Sequence, residues 1–214
     1  MDVDEILEPG WRDEIEKVWT PETTRLSYFF DWGCGIRFRY EKIHARHGYY
    51  WHHPCHEYPR FDARIKEVWA NTDMLLVSHH PDPTKSRGQY LDLLDLSVKE
   101  DPVCPRNAFY YARELSFHYK WDEAIEALKK YLALPGATWP NERCYAMRVM
   151  AECYVHLKDN AAAEQWLHRA AIEDPKARES WIALSELAGN QRHWEVSLAF
   201  ASKALAITDR EYVY

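Results

Sequence analysis

Three segments of the C-terminal half repeat one another, and this internal repeat constrains the fold more than any other feature of the chain. Residues 121–125, 160–164 and 194–198 align. A small residue marks the equivalent position of each segment: Ala124, Ala163 and Ser197. These positions are 39 and then 34 residues apart. Seven residues further on, the same spacing recurs at Tyr131, Ala170 and Ala204.

Each repeat also contains the signs of an earlier, first helix. Bulky apolar residues occur there in pairs: Tyr111 and Leu115, Met150 and Tyr154, Trp181 and Leu184. Small residues that allow two helices to approach closely lie beside them: Ala112, Ala151 and Ser185. A period of about 34 residues with paired helices is the signature of tetratricopeptide repeats. Because one hairpin cannot bury its apolar face alone, stacked hairpins share one core. We predict three such all-α repeats in residues 105–214.

The segment before the repeats has a mixed pattern. Residues 11–19 have the apolar spacing of a short helix, and residues 36–40 alternate as a half-buried strand does. Gly33 and Gly35 precede that run and indicate a hairpin. We therefore predict an α+β region in residues 1–84 and a connecting helix or linker in residues 85–104.

Charge and cysteine content limit the classes of partner. The net charge is −7, which disfavours binding to a phosphate backbone, so we expect no nucleic-acid partner. The five cysteines are odd in number and no two are two residues apart, which favours a reducing compartment over a disulfide framework. No apolar run reaches the roughly 20 residues that span a bilayer, and the acidic N-terminus does not resemble a signal peptide. A cytoplasmic location is expected.

Two groups of acidic residues and histidines in the α+β region are candidates for chemistry. Asp2 and Asp4 are separated by one residue, so their side chains would lie on the same face of an extended strand. There they could hold Mg²⁺ or Mn²⁺. The alternative is a solvated, frayed terminus. His56 and Glu57 near a turn could supply a metal ligand and a general base. The alternative is a surface carboxylate beside a packed histidine.

A third group follows an apolar strand and precedes a helix. It contains His79 and His80, and then the cations Lys85 and Arg87. Cations beside a helix start can bind phosphate. The alternative is an ordinary linker with a capping hydroxyl residue.

An ordered set of short motifs resembles one known family. The motifs are Asp2-Val3-Asp4-Glu5-Ile6-Leu7, Pro9-Gly10-Trp11-Arg12, residues 42–49, Trp51 with His56-Glu57, residues 79–87, and residues 107–114. Together they look like the C-terminal part of family 2 glycosyltransferases that carry tetratricopeptide repeats. The resemblance covers nearly the whole chain.

That resemblance implies a GT-A fold, so the α+β region would be part of such a sheet, and it implies transfer from a nucleotide sugar with inversion. Asp2 and Asp4 would be the metal–diphosphate motif, with His79 or His80 as a further metal or phosphate contact. Glu57, beside His56, would act as the general base. The nucleotide-binding half that precedes this motif in the family is missing here, so we expect nucleotide-sugar binding only when that half is supplied.

A non-catalytic scaffold is the alternative function, and it requires no cofactor. In that case the repeat groove would dock a peptide or a protein through exposed residues of the first helices. The candidates are Tyr110, Arg113, Glu114 and Arg148; the alternative is that they are merely solvated. Open sheet edges and exposed aromatic residues also predict a homo-oligomer.

Overall fold

The computed structural model describes residues 4–33, 35–81, 84 and 88–208. The chain forms two compact units, residues 1–87 and residues 88–214. The first unit contains all the strands of the described chain, and the second is helical.

The first unit is built on a four-stranded sheet beside a small two-stranded sheet. Its strands are β1 Glu5–Leu7, β2 Arg25–Gly33, β3 Ile36–His44, β4 Tyr49–His52, β5 Tyr58–Phe61 and β6 Trp69–His79. The larger sheet has the order β1-β6-β2-β3, and β4 pairs with β5. Strand β6 is antiparallel to β1 and parallel to β2. Strands β2 and β3 form an antiparallel hairpin, which has left-handed φ values at Gly33 and Gly35 near its tip.

One helix, α1 from Trp11 to Val18, lies against β6. The core beneath it consists of Leu26, Tyr28, Phe30, Leu75 and Val77. These side chains alternate along β2 and β6, as expected for one face of a sheet. The apolar side of the helix packs on them through Trp11, Ile15, Val18 and Trp19. Full burial of each such side chain contributes roughly 1.5–3 kcal/mol, so this layer holds the unit together.

A buried arginine ties the small sheet to the large one. Arg25, at the start of β2, donates from Nη1 to Oε1 of Glu67 at 2.9 Å and from Nε to the carbonyl of Glu41 at 3.3 Å. Its Nη2 donates to the carbonyl of Pro59 in β5. The guanidinium carbon also lies 4.9 Å from the centre of the Trp69 ring. The buried cation is therefore paired and hydrogen-bonded, as burial of charge requires.

The second unit consists of seven helices in its described part. They are α2 Tyr90–Glu100, α3 Pro105–Phe117, α4 Trp121–Ala133, α5 Pro140–His156, α6 Asn160–Glu173, α7 Arg178–Asn190 and α8 Trp194–Leu205. Helices α3/α4, α5/α6 and α7/α8 pack as hairpins, and α2 packs on α3. Prolines at the first turn of α3 and α5 fit a position where no backbone N–H donor is needed.

The three hairpins share one turn. The residue two before each second helix has a left-handed φ: Tyr119 at 60°, Lys158 at 65° and Arg192 at 64°. These residues have the same 39- and 34-residue spacing as the sequence repeat. The small residues predicted at the helix contacts, Ala112, Ala124, Ala151 and Ala163, are at most 2% exposed. In the third hairpin two serines take these positions, and Ser185 and Ser197 hydrogen-bond across it.

Helix α2, which lies in the predicted connecting segment, belongs to the helical unit. Its Ser97 is fully buried, and the Ser97 carbonyl accepts a hydrogen bond of 3.1 Å from Nδ2 of Asn107 in α3. Leu94 of α2 is also buried. Among the described residues, no helix combines the length and the hydropathy needed to cross a bilayer.

Candidate functional site

Two of the residues predicted to bind metal meet at the end of β6. Oδ2 of Asp4 lies 3.5 Å from Nε2 of His79, and the backbone N–H of His80 donates to the carbonyl of Asp4 at 2.7 Å. The Trp32 ring stacks on the His79 ring at 4.3 Å. Asp2 lies outside the described residues. Asp4 therefore contacts the histidines because it directly precedes β1, which pairs with β6. Its carboxylate adds one side-chain contact, with His79.

The predicted catalytic residues lie at the other end of the sheet. Glu57 directly precedes β5, whose Pro59 contacts Arg25 at the start of β2. His79 is next to Ser78, which pairs with Asp31 near the end of β2. The six residue steps from Arg25 to Asp31 span about 20 Å at the rise of a strand. The structure therefore does not bring Glu57 and His56 to Asp4 to share one cation.

The other residues that were predicted to bind metal or phosphate, or to act in catalysis, do not form a site. Lys85 and Arg87, the predicted phosphate contacts, lie outside the described residues, as Asp2 does. Across residues 4–33, 35–81, 84 and 88–208, no group of three or more His, Cys, Asp or Glu side chains is arranged to hold a metal ion. His56 has a left-handed φ of 52° in the loop between β4 and β5, so its position reflects a tight turn.

A cleft of about 590 Å³ lies in the helical unit between α2, α3 and α4. Its floor includes Ala108, Tyr111 and Leu115 of α3. Two of the carboxylates that line it are engaged with lysines: Glu123 with Lys120 at 3.3 Å, and Glu126 with Lys129 at 2.8 Å. The lining of the cleft is mainly apolar.

The first helices carry a different surface, which combines cations with aromatic rings. On α3, Arg106, Tyr110, Arg113 and Phe117 follow one another at intervals of four, three and four residues. This spacing places them on one stripe of a helix. The opposite sides of α3 are occupied, since Phe109, Ala112 and Leu115 are buried. We call the stripe, together with Tyr145 and Arg148 of α5, the first-helix face.

The guanidinium groups of this face lie over aromatic rings. The Cζ atom of Arg113 is 4.7 Å from the centre of the Tyr110 ring and 5.7 Å from that of Phe117. Cζ of Arg106 is 5.0 Å from the Tyr110 ring. On α5, Cζ of Arg148 is 5.2 Å from the Tyr145 ring. Stacking of this kind fixes the plane of a guanidinium.

The hydrogen-bonding capacity of Arg113 is incompletely used. Its Nε atom is buried and makes no hydrogen bond to any residue that the structure describes. Glu142 in the first turn of α5 lies close enough to Arg106 and Arg113 for their charges to act on it. Burial raises the pKa of Glu142, whereas a hydrogen bond from Tyr131 and the two arginines oppose that rise. The Glu142 carboxylate is held by the Tyr131 hydroxyl at 2.9 Å, so it is directed into the repeat core.

Sequence reasoning identified part of this face. Tyr110, Arg113 and Arg148 lie on it, but Glu114 does not. Glu114 is only 1% exposed, and its Oε1 lies 3.5 Å from Nε2 of His118. Neighbouring residues of a helix point about 100° apart, so Glu114 turns away from Arg113 into the packing. Sequence reasoning missed Arg106, Phe117 and Tyr145. Arg106 lies four residues before Tyr110 and Phe117 lies four residues after Arg113, so helical spacing could have identified both.

Solved structures support the helical-repeat fold. MamA matches with a TM-score of 0.50 and 13% identity, over 56% of this chain and 67% of MamA. PilF of Pseudomonas aeruginosa has a TM-score of 0.48 and 12% identity, over 56% of this chain and 53% of its own. YrrB, described as a TPR protein with an unusual peptide-binding site, has a TM-score of 0.45 and 14% identity, over 56% of this chain and 59% of its own. No family model and no curated protein sequence matches the chain.

These matches correct the expectation drawn from the short motifs. At this level of identity the MamA match indicates the fold alone, and that fold is the stacked helical hairpin. The similarity that supports this fold is to MamA and not to a GT-A enzyme. The prediction of a glycosyltransferase fragment is therefore wrong, and neither the described residues nor the comparison supports the GT-A sheet, the bound metal or the nucleotide sugar that the resemblance implied.

Proposed function

We propose that the protein is an interaction scaffold whose repeats dock an acidic, extended peptide segment of a partner protein on the first-helix face. The observation that carries the proposal is the set of three stacked arginines on α3 and α5. Stacked repeats create extended binding surfaces of this type. Carboxylates are the natural ligands of planar guanidinium groups, because two parallel N–H···O bonds can form.

The aromatic rings of the same face favour a peptide over a small anion. Tyr110, Phe117 and Tyr145 provide apolar area between the cations, and Phe117 is 49% exposed. Aromatic and arginine side chains are enriched where interfaces concentrate their binding energy. A segment that alternates acidic and apolar residues would match both components.

Selection from a displayed library of random dodecapeptides tests the proposal. We expect enrichment of acidic peptides, and we expect Arg113→Gln with Arg148→Gln together to weaken the selected peptides by about 100- to 10,000-fold, since hydrogen bonds to charged groups contribute roughly 1.5–3 kcal/mol each. Fluorescence anisotropy of labelled peptides measures the dissociation constants.

Arg169→Gln is the matched control. Arg169 lies on the second helix α6, and its Cζ atom is 4.4 Å from the Trp166 ring. It therefore repeats the arginine-on-aromatic contact away from the first-helix face. Selected peptides that bind the double variant as tightly as the native chain, or that lose as much affinity with Arg169→Gln, would refute the docking site. Enrichment of peptides without acidic residues would refute the preference for acidic partners.

A further inference from the structure

The last helix of the stack exposes an apolar stripe. Trp194, Leu198, Ala201 and Leu205 follow one another in α8 at intervals of four, three and four residues. Trp194 is 66% exposed, Leu198 68% and Leu205 77%. The spacing places these residues on one side of the helix, like the seam of two paired helices. We call them the α8 stripe.

Helix α4 carries apolar residues at the equivalent positions, whereas α6 has exposed polar residues, Asn160 and Glu164, in place of Trp194 and Leu198. By the repeat spacing, Leu198 corresponds to Ile125 of α4, which is 4% exposed within a core that includes residues of α5. Leu205 corresponds to Ala171 of α6, which is 2% exposed in the core shared with α7. The α8 stripe thus corresponds to the surface on which α4 receives α5 and, at its C-terminal end only, to the part of α6 that packs on α7.

An aromatic contact supports this correspondence. Trp194 corresponds to Trp121 of α4, whose ring stacks on His156 of α5 at a distance of 4.1 Å and an angle of 2°. The neighbour that fits the α8 stripe is therefore a helix. It runs antiparallel to α8, because short connections join α4 to α5 and α6 to α7, and helices joined in this way lie antiparallel.

We propose that α8 of a second copy of this chain is that helix, so that two copies pair through their α8 stripes about a twofold axis. The stripe can pair with a second copy of itself, because its intervals of four, three and four residues are the same in either direction along the helix. The axis passes between Leu198 and Ala201, so the small Ala201 of each copy faces the large Leu198 of the other. Trp194 then packs against Leu205 at each end.

Charge also favours the antiparallel pair of identical helices. The stripe itself has no charged residue, and Glu195 is the carboxylate beside it. In the antiparallel arrangement the two copies of Glu195 are nine residues apart along the axis, or about 13 Å. That separation exceeds the roughly 10 Å over which exposed charges interact at 0.1 M salt. The other charged residue of α8, Lys203, is used within the chain, since its Nζ lies 3.6 Å from the centre of the Trp181 ring.

The size of the stripe predicts a weak dimer. Three large exposed side chains per copy give an interface at the small end of specific protein contacts, so we expect dissociation constants on the order of tens of µM. Sedimentation equilibrium of the full 214-residue chain between about 5 and about 200 µM covers this range. The apparent mass should rise from 25.4 kDa toward twice that value.

Leu198→Glu with Leu205→Glu is the disrupting variant. Because both side chains are exposed in one copy, folding should persist, which circular dichroism checks. Pairing would place unpaired charges in the interface, so the dimer should weaken at least about 100-fold. Ile172→Glu is the control, since Ile172 on α6 is 78% exposed and lies off the stripe.

Each outcome decides the proposal. A concentration-dependent dimer that the Ile172 variant keeps and the double variant loses supports it. A native chain that stays at 25.4 kDa at every concentration would overturn it and would leave the stripe to a helix of another protein. A dimer that survives the double variant, or that Ile172→Glu disrupts equally, would place the interface elsewhere and would also overturn it.

Discussion

Removing one buried hydroxyl group tests how the first two repeats are joined. Tyr131 of α4 is fully buried, and its hydroxyl donates to Oε1 of Glu142 in α5 at 2.9 Å. Tyr131→Phe keeps the ring and its contact with Phe109, whose centre lies 5.4 Å away. The change therefore isolates the hydrogen bond from the aromatic packing.

The expected cost depends on pH. At pH values above the folded pKa of Glu142 the acceptor is charged, and there the free energy of unfolding should fall by about 1.5–3 kcal/mol. Burial holds the pKa of Glu142 in the folded state above its ordinary value of 4.5, so the charged form is the one that the fold tolerates poorly. Loss of the donor raises this pKa further. The penalty is therefore smallest below the unfolded pKa, at about 0.5–1.5 kcal/mol for a neutral pair, and grows as pH rises through the folded pKa.

Urea unfolding at several values between pH 4 and pH 8, followed by circular dichroism, measures this dependence. A loss of that size lowers the midpoint by on the order of 1 M urea. Tyr119→Phe makes the same chemical change at a ring that is 76% exposed, and we expect less than about 0.5 kcal/mol there. A Tyr131→Phe cost that equals the control, or that is the same at both ends of the pH range, would refute the reasoning.

Three further predictions concern other parts of the structure. Arg25→Met should destabilise the first unit by about 2–4 kcal/mol, because a broken buried pair leaves one charge uncompensated. Adding Glu67→Leu should therefore recover part of that loss. If urea unfolding shows that the two substitutions have strictly additive effects, that result would argue against a buried pair. Burial raises the pKa of Cys144 to about 11 and that of Cys153 to about 12. Both thiols should therefore resist iodoacetamide at pH 8 until urea unfolds the chain. Rapid labelling of the folded protein, measured by mass spectrometry, would contradict this prediction. Gly48 has a φ of 85°, and an added Cβ would lie 2.7 Å from an isoleucine side chain; Gly48→Ala should therefore cost at least about 1 kcal/mol, and an unchanged midpoint would contradict the expected strain.

The helical hairpins could be predicted because their signal is local and recurs. Ala124 and Ala163 are small where two helices must approach closely, and their spacing alone locates the second helices. The longer first interval reflects mainly helix α5, which has 17 residues against 13 in α7, together with a longer loop between Ala133 and Pro140. Each hairpin depends on residues within about 35 positions of one another, so period and composition are sufficient.

The sheet could not be derived in the same way. Its central contact is the parallel pairing of β2 with β6, in which Arg25 lies opposite Trp69. Nothing local in either strand specifies a partner 44 residues away. The short motifs were equally ambiguous, since Asp4 and His79 do meet, yet they do so as neighbours across β1 and β6. Residues that are correctly predicted to be close are thus weak evidence for a chemical site when strand pairing already explains their contact.

The two surfaces of the helical unit show why exposure is harder to predict than helix position. Ile125 and Leu198 are both large apolar residues at the same place in their repeats, and both belong to an apolar stripe of a second helix. One is buried and the other exposed because a following helix covers α4 and none in the described chain covers α8. The difference lies in the neighbour and not in the residue, so only the arrangement of helices reveals it. The apolar character of the α8 stripe, retained where no neighbour within the described chain needs it, is the reason to look for that neighbour in a second copy.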